Sequence, residues 1–398
     1  MKDIFEKCFE PQKQDELRAA GIYPYFRALE SRQDVEVIME GKRRIMLGSN
    51  NYLGLTVNPE IIEAGVKTIE QYGTGCSGSR FLNGTLKLHY ELEDEIKSFL
   101  GTEDCITFPA GFMSNLGVIS TVVGRHDYVI LDREDHASIY DAAKLSYGTM
   151  LRYKHADMAD LEKQLKSVPE GSGALIVTDG VFSMGGDIAK LPEICALAEK
   201  YNARVMVDDA HGLGVLGNGG RGTADYFGLS DKVDIITGTF SKSLASLGGF
   251  MAASHKIVDY VRHTARAYMF AASVPPAQTA VALASLRYIK AHPELPLKLQ
   301  ANAARFRTQL KARDVQIIEA DTPIVPIYTY EFDNTLIKQK GIYDEGVYVN
   351  SVLPPACAPG ECLLRTTLMA SHTDALIDEA AEIIADVLKK DNALILQH

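Results

Sequence analysis

No run of basic residues occurs in this chain of 398 residues, whose formal net charge is -11. Nucleic-acid surfaces draw their affinity from clustered lysine and arginine, so that class of partner is set aside. No CxxC pair is present either: Cys8, Cys76, Cys105, Cys195, Cys357 and Cys362 are scattered. That argues against a zinc site and a disulfide framework and fits a reducing compartment. Cys105 and Cys195 lie in apolar patterns, where a buried thiol is expected. No apolar run approaches the ~20 residues needed to span a bilayer. The opening "MKDIFEKCFE" interleaves acids where a signal peptide needs an apolar core. The expectation is a soluble, cytoplasmic protein that holds no metal. There is no internal repeat and no low-complexity linker. What remains is ordinary globular composition, 46% hydrophobic and 23% charged, enough for a large core and for two domains.

Short apolar runs alternate with helical patterns through the middle of the chain. "CITF" (105–108), "YVIL" (128–131), "ALIVTD" (174–179), "ARVMVDD" (203–209), "VDIITGTF" (233–240) and "GFMAAS" (249–254) read as buried strands. Between them, Leu88, Leu92, Ile96, Phe99 and Leu100 share one face of a helix that Thr85 can cap and Gly101 can end. Strands separated by helices predict an α/β fold with a mainly parallel sheet. Beyond residue 290 come a long helix, short strands such as "IVPIYTY" (324–330) and a final helix capped by Thr373. The division read from this is an arm with a short helix and a hairpin (1–50), a large α/β domain (51–290) and a smaller C-terminal α+β domain (291–398).

In such folds, functional groups collect at the carboxyl ends of the strands. Here those ends are chemically selective: Asp179 with Ser183 following; Asp208, Asp209 and His211; and Thr239, Ser241 and Lys242. A lysine at the end of a buried strand loses hydration, which penalises its charged form. It either pairs with an acid or serves as a neutral, reactive amine. "FPAGFMSNLG" adds a glycine turn at Gly111 before a helix start, whose free N–H groups bind phosphate. Each feature alone has a structural reading, as a cap, a turn or a solvated loop. Together, in consecutive α/β units, they fit pyridoxal 5'-phosphate. Lys242 forms the Schiff base. Asp208 pairs with the ring nitrogen, and His211, helped by Ser183, bonds the ring oxygen. Gly111, Phe112, Thr239 and Ser241 hold the phosphate. "GLGVLG" (212–217) matches a dinucleotide fingerprint, but the following "NGGRGTADYFG" reads as loop where that site needs a helix.

"VDDAHGLGVLG" followed by "GTFSKSLASLGG" resembles the α-oxoamine synthase family of fold-type I pyridoxal phosphate enzymes, which are aspartate aminotransferase-like. "SNNYLGL" (49–55), "GTGCSGSRFLNGTLKLHYELE" (73–93), "AGFMSN" (110–115), "DHASIYD" (135–141), "DGVFSMGGD" (179–187) and "LLRTTLMASHT" (363–373) extend the likeness over almost the whole chain. "YFRALESRQDVEV", "GSRFLNGTLKLH" and "FSKSLASLGGFMA" are most similar to the family's soluble, homodimeric bacterial branch, which joins L-serine to palmitoyl-CoA.

The resemblance implies roles residue by residue. Lys242 is the Schiff-base lysine, and Asp208 and His211 partner the ring. Ser183 is another ring-oxygen contact. His136 lies over the ring face and helps bind the amino acid. Arg365 grips the substrate carboxylate, with Asn50 as helper. The active site lies at a homodimer interface, so Ser79, Met269 and Ser273 approach from the other subunit, Ser273 on the phosphate. The implied reaction is a decarboxylative condensation of L-serine with a long-chain acyl-CoA. It gives 3-ketodihydrosphingosine, CoA and carbon dioxide, the first step of sphingolipid synthesis. The alternative is the 2-amino-3-ketobutyrate CoA ligase reaction of glycine with acetyl-CoA. A peripheral contact with the inner membrane stays open.

Overall fold

The computed structural model describes residues 1–396. Its centre is a seven-stranded sheet, with spatial order Asp104–Phe108, Gly249–Ala253, Ile235–Thr239, Arg204–Asp208, Ala174–Asp179, Tyr128–Asp132 and Thr149–Tyr153. Gly249–Ala253 runs antiparallel to both its neighbours, and the other adjacent pairs are parallel. Successive strand residues point to opposite faces, and here both faces are covered. Ile106, Val129, Leu131, Val177 and Met206 pack against Gly111–Val122, Ala137–Leu145 and His255–Thr264. Cys105, Ile130, Ile176, Val205 and Val207 belong to the core on the opposite side, with Lys87–Leu100, Leu191–Tyr201 and Pro276–Ala291. This explains why the strands read as unbroken apolar runs.

All six strands expected in the middle of the chain are present. A seventh, Thr149–Tyr153, was not expected. It is an edge strand with only Tyr153 fully buried, so its sequence lacks an apolar run. Gly101 ends its helix in the left-handed conformation, as read. Thr85 does not cap the start. Leu86 occupies that position, and the His89 ring accepts its N–H at 3.0 Å. Thr85 is taken up by Arg80, accepting from Nε at 3.2 Å and donating to the Arg80 carbonyl. Arg80 needs that support because it is buried in an ion pair with Glu93. Thr373 caps Asp374–Lys389 as expected.

Two smaller sheets, each of three strands, complete the fold. Ile324–Tyr330, Cys362–Thr367 and Asn350–Val352 form an antiparallel sheet. The arm carries two short helices, Glu6–Phe9 and Lys13–Ala19, and the hairpin Glu36–Met39/Lys42–Met46, whose second strand pairs with Val347–Tyr348. The arm is thereby stitched to the C-terminal segment. Among the described residues no helix is long and apolar enough to cross a membrane, no acid, histidine and cysteine cluster could hold a metal, and all six cysteines are free.

Candidate active site

Parallel strands bring their carboxyl ends to one edge. Asp179 and Asp208 are direct partners on neighbouring strands, and Asp208 is opposite Thr237 on the next. Lys242 follows three residues after that strand ends at Thr239. Facing them, the helix Gly111–Val122 begins at the edge. These ends enclose a cavity of about 280 Å³ lined by Gly111, Phe112, His136, Asp179, Asp208, His211, Thr239, Ser241 and Lys242.

The neighbouring Asp209 faces away. Its carboxylate accepts the Thr223 N–H at 2.8 Å and the Thr223 hydroxyl at 2.6 Å. It therefore pins the glycine-rich stretch 212–222 as a loop, and no long helix starts in "GLGVLG".

The cavity sets its own protonation. Burial pushes the Lys242 amine down to about 8, against the pull of Asp208 and Asp179. Burial, with the Asp208 charge beside it, pushes the Asp179 carboxyl well above the usual carboxylate range. Burial and the charges of Lys242 and Arg365 hold His211 well below its ordinary value, so its ring is neutral. The Tyr52 hydroxyl lies 2.6 Å from His211 Nδ1. Burial pushes the Tyr52 hydroxyl up to about 12, against the pull of the Arg365 charge. His136 is lowered by burial as well. It caps Ala137–Leu145, its ring accepting the Ser138 N–H, which leaves Nε2 as the donor.

A buried network links the two sides. Asn115 Nδ2 donates to Asp208 Oδ2 at 2.6 Å and to Ser138 Oγ at 2.9 Å, and its Oδ1 accepts from the Thr237 hydroxyl at 2.8 Å. Ser138 in turn bonds His136 Nδ1 at 2.7 Å. The sequence reading assigned no role to Asn115, Ser138 or Tyr52. The available signal was an amide buried on a mostly apolar helix, one turn after Gly111.

The phosphate-like end is shaped by close backbone approach. A Cβ on Gly111 would meet Thr239 Cβ at 2.8 Å, and one on Gly249 would meet Gly111 N at 2.7 Å. The Thr239 and Ser241 hydroxyls lie 2.8 Å apart beside the helix start. Backbone and hydroxyl donors, a carboxylate and an amine lining one cavity fit pyridoxal phosphate in donor chemistry.

A second cavity, about 510 Å³, shares His136, His211 and Lys242 with the first. It is also lined by Asn50, Ser183, Met184, Asn350 and Arg365. Arg365 is 5% exposed, and every arm of its guanidinium is held. Nε donates to the Ser183 carbonyl, one terminal nitrogen to Thr367 Oγ1 at 3.2 Å and the other to Asn50 Oδ1 at 3.0 Å. Ser183 thus lies beside Arg365 rather than among the groups around Asp208. Ser79, Met269 and Ser273 line neither cavity. Ser273 is fixed on Gly78, donating to its carbonyl from N at 3.0 Å and from Oγ at 3.1 Å. Ser79 is bridged to Ala272, while Met269 packs on the core behind the helix Gly111–Val122.

Comparison with known proteins agrees with this geometry. Residues 42–384 match the family model for aminotransferase class I and II. The chain is 50% identical over 379 residues to a serine palmitoyltransferase of Bacteroides thetaiotaomicron, covering 95% of each chain. It is 49% identical over 376 residues to one from Sphingobacterium spiritivorum, covering 94% of each. A solved serine palmitoyltransferase with its pyridoxal phosphate is similar with a TM-score of 0.93 and 37% identity, over 97% of this chain and 98% of that one.

Proposed function

The chain belongs to the aminotransferase class I and II family, and on that footing we propose that it is an α-oxoamine synthase acting as a serine C-palmitoyltransferase. It condenses L-serine with a long-chain acyl-CoA and releases CoA and carbon dioxide, giving 3-ketodihydrosphingosine when the acyl donor is palmitoyl-CoA. The observation that carries the reading is the shared wall of the two cavities. Lys242 lines both the cavity that holds Asp208 and the one that holds Arg365.

Bound pyridoxal phosphate supplies an electron sink for the pair left on serine Cα when its proton departs. The chain's residues do the rest. Lys242 would hold the cofactor, and its amine, lowered by burial to about 8 in the cofactor-free chain, is the group placed to take the Cα proton. Asp208, oriented by Asn115, keeps the ring nitrogen protonated. His211, with Ser183 assisting, would bond the ring oxygen, and His136 would help hold the ring and bind the amino acid. The N–H groups of Gly111 and Phe112 and the hydroxyls of Thr239 and Ser241 hold the phosphate. Arg365 and Asn50 would grip the serine carboxylate and so orient the amino acid for loss of its Cα proton. In a homodimer, Ser79, Met269 and Ser273 complete the site across the interface. The division at residues 50 and 290 and a cytoplasmic setting belong to the same proposal, the setting supported by six free cysteines.

The test is titration of the purified holoenzyme with L-serine, glycine and L-alanine, followed by visible absorbance. A response to L-serine at lower concentration than to glycine supports the reading. A preference for glycine moves the chain to the 2-amino-3-ketobutyrate CoA ligase reaction.

A further inference from the structure

His155 lies outside both cavities, yet it joins two segments that shape the second one. It sits in the turn after the edge strand Thr149–Tyr153, half-buried. Its Nδ1 is 2.9 Å from Asp132 Oδ1, and its Nε2 is 3.0 Å from Asp187 Oδ2. Glu134 also faces the ring, at 3.8 Å. The ring stands edge-on to Phe182, with centroids 4.5 Å apart.

Asp132 is a rigid anchor. It ends a central strand, and its carboxylate also accepts the N–H groups of Glu134 and Ala156 at 2.9 and 3.0 Å. Phe182 and Asp187 are the two feet of a closed turn, Phe182 N bonding the Asp187 carbonyl at 2.9 Å and Gly186 N the Phe182 carbonyl at 2.8 Å. The tip of that turn is Ser183–Met184, which lines the second cavity. The Ser183 carbonyl is the acceptor for Arg365 Nε.

A guanidinium is planar, so the acceptor at Nε fixes the direction of its two outer nitrogens. Moving the turn tilts the fork that those nitrogens present. We propose that His155 is a positioning residue for amino-acid binding: it clamps the 182–187 turn to the end of the Tyr128–Asp132 strand and thereby sets the plane of Arg365. The proposal rests on the reading of Arg365 as the carboxylate clamp. Burial works against charge on the His155 ring, but its bonds to Asp132 and Asp187 outweigh this and push it up to about 10, so both nitrogens donate at neutral pH. Thr322 holds the turn independently, its hydroxyl donating to the Gly186 carbonyl at 2.7 Å, so the fold does not depend on His155 alone.

The experiment uses the holoenzyme and its His155→Gln, Asp187→Asn, Arg365→Ala and His155→Gln/Arg365→Ala variants. It reads the L-serine dissociation constant by visible absorbance, the cofactor content and the thermal midpoint. His155→Gln and Asp187→Asn are expected to weaken serine binding about tenfold, the scale of losing a bond to a charged group, with full cofactor content. The His155→Gln effect should vanish in the Arg365→Ala background. Unchanged serine binding in both single variants, or an equal loss in both backgrounds, overturns the positioning role and leaves the clamp reading standing. Unchanged binding in Arg365→Ala alone sinks the clamp reading and the proposal with it. If His155→Gln fails to fold, Asp187→Asn, on the less buried side of the same bond, decides.

Discussion

Replacing Lys242 with methionine in the cofactor-free protein should make the fold more stable while abolishing its chemistry. The amine sits at about 8 in the folded chain against 10.5 for an ordinary lysine. Below pH 8 both folded and unfolded chains carry the proton, and the folded chain bears the full cost of burying the charge. That cost is about 3 kcal/mol, from roughly 1.4 kcal/mol per pKa unit. Between pH 8 and 10.5 the folded chain has released the proton and the unfolded chain has not, so the cost is relieved. Methionine keeps the length of the side chain and removes the charge. Its advantage should therefore be full at pH 7 and absent above about pH 10.5. For 398 residues, 3 kcal/mol corresponds to about 4 °C in thermal midpoint. The assay is the difference in midpoint between the two cofactor-free proteins at pH 7 and pH 10.5, in which the titrations of groups remote from Lys242 cancel; those of Asp179, His136 and His211, which feel its charge, do not. The same amine should attach added cofactor about tenfold faster per pH unit below 8 and level off above it. Equal midpoints at pH 7, or a gap that persists unchanged at pH 10.5, refute the reasoning that the site holds a destabilised lysine.

Asp208→Asn should retain the cofactor but slow exchange of the serine Cα hydrogen with deuterated solvent by orders of magnitude, because the ring nitrogen loses its ionic partner; an unaltered exchange rate counts against Asp208. Asn115→Ala should cost about 1–3 kcal/mol of stability in chemical denaturation, since it leaves Thr237 and Ser138 short of partners in a buried site. It should also lower kcat through Asp208 and His136; retention of full activity would show that neither depends on it. Gly249→Ala should empty the phosphate end, because its new Cβ meets Gly111 N at 2.7 Å. Cofactor content by absorbance is the measure, and a fully loaded variant contradicts the close-approach argument.

Much of the site could be read before any fold was known. Strand ends are local features, and the apolar runs before Asp179, Asp208 and Thr239 announced them. The nature of each group, acid, imidazole or amine, then pointed to the chemistry. Other readings failed where a side chain had a stronger claim elsewhere. Thr85 suits a cap in isolation, but the buried Arg80–Glu93 pair takes its hydroxyl. The strand Thr149–Tyr153 escaped notice because an edge strand need not be apolar.

Periodicity and residue type thus determined the alternation of strands and helices, the clustering of chemistry at one sheet edge and the candidacy of Lys242. These depend on neighbours a few residues apart. Tertiary packing decided which of two adjacent acids faces the cavity, with Asp208 turned to Asn115 and Asp209 to Thr223. It also joined Arg365 to Asn50 across 315 positions and set Tyr52 against His211. Such contacts follow from how whole layers stack, and no local pattern in the chain encodes them.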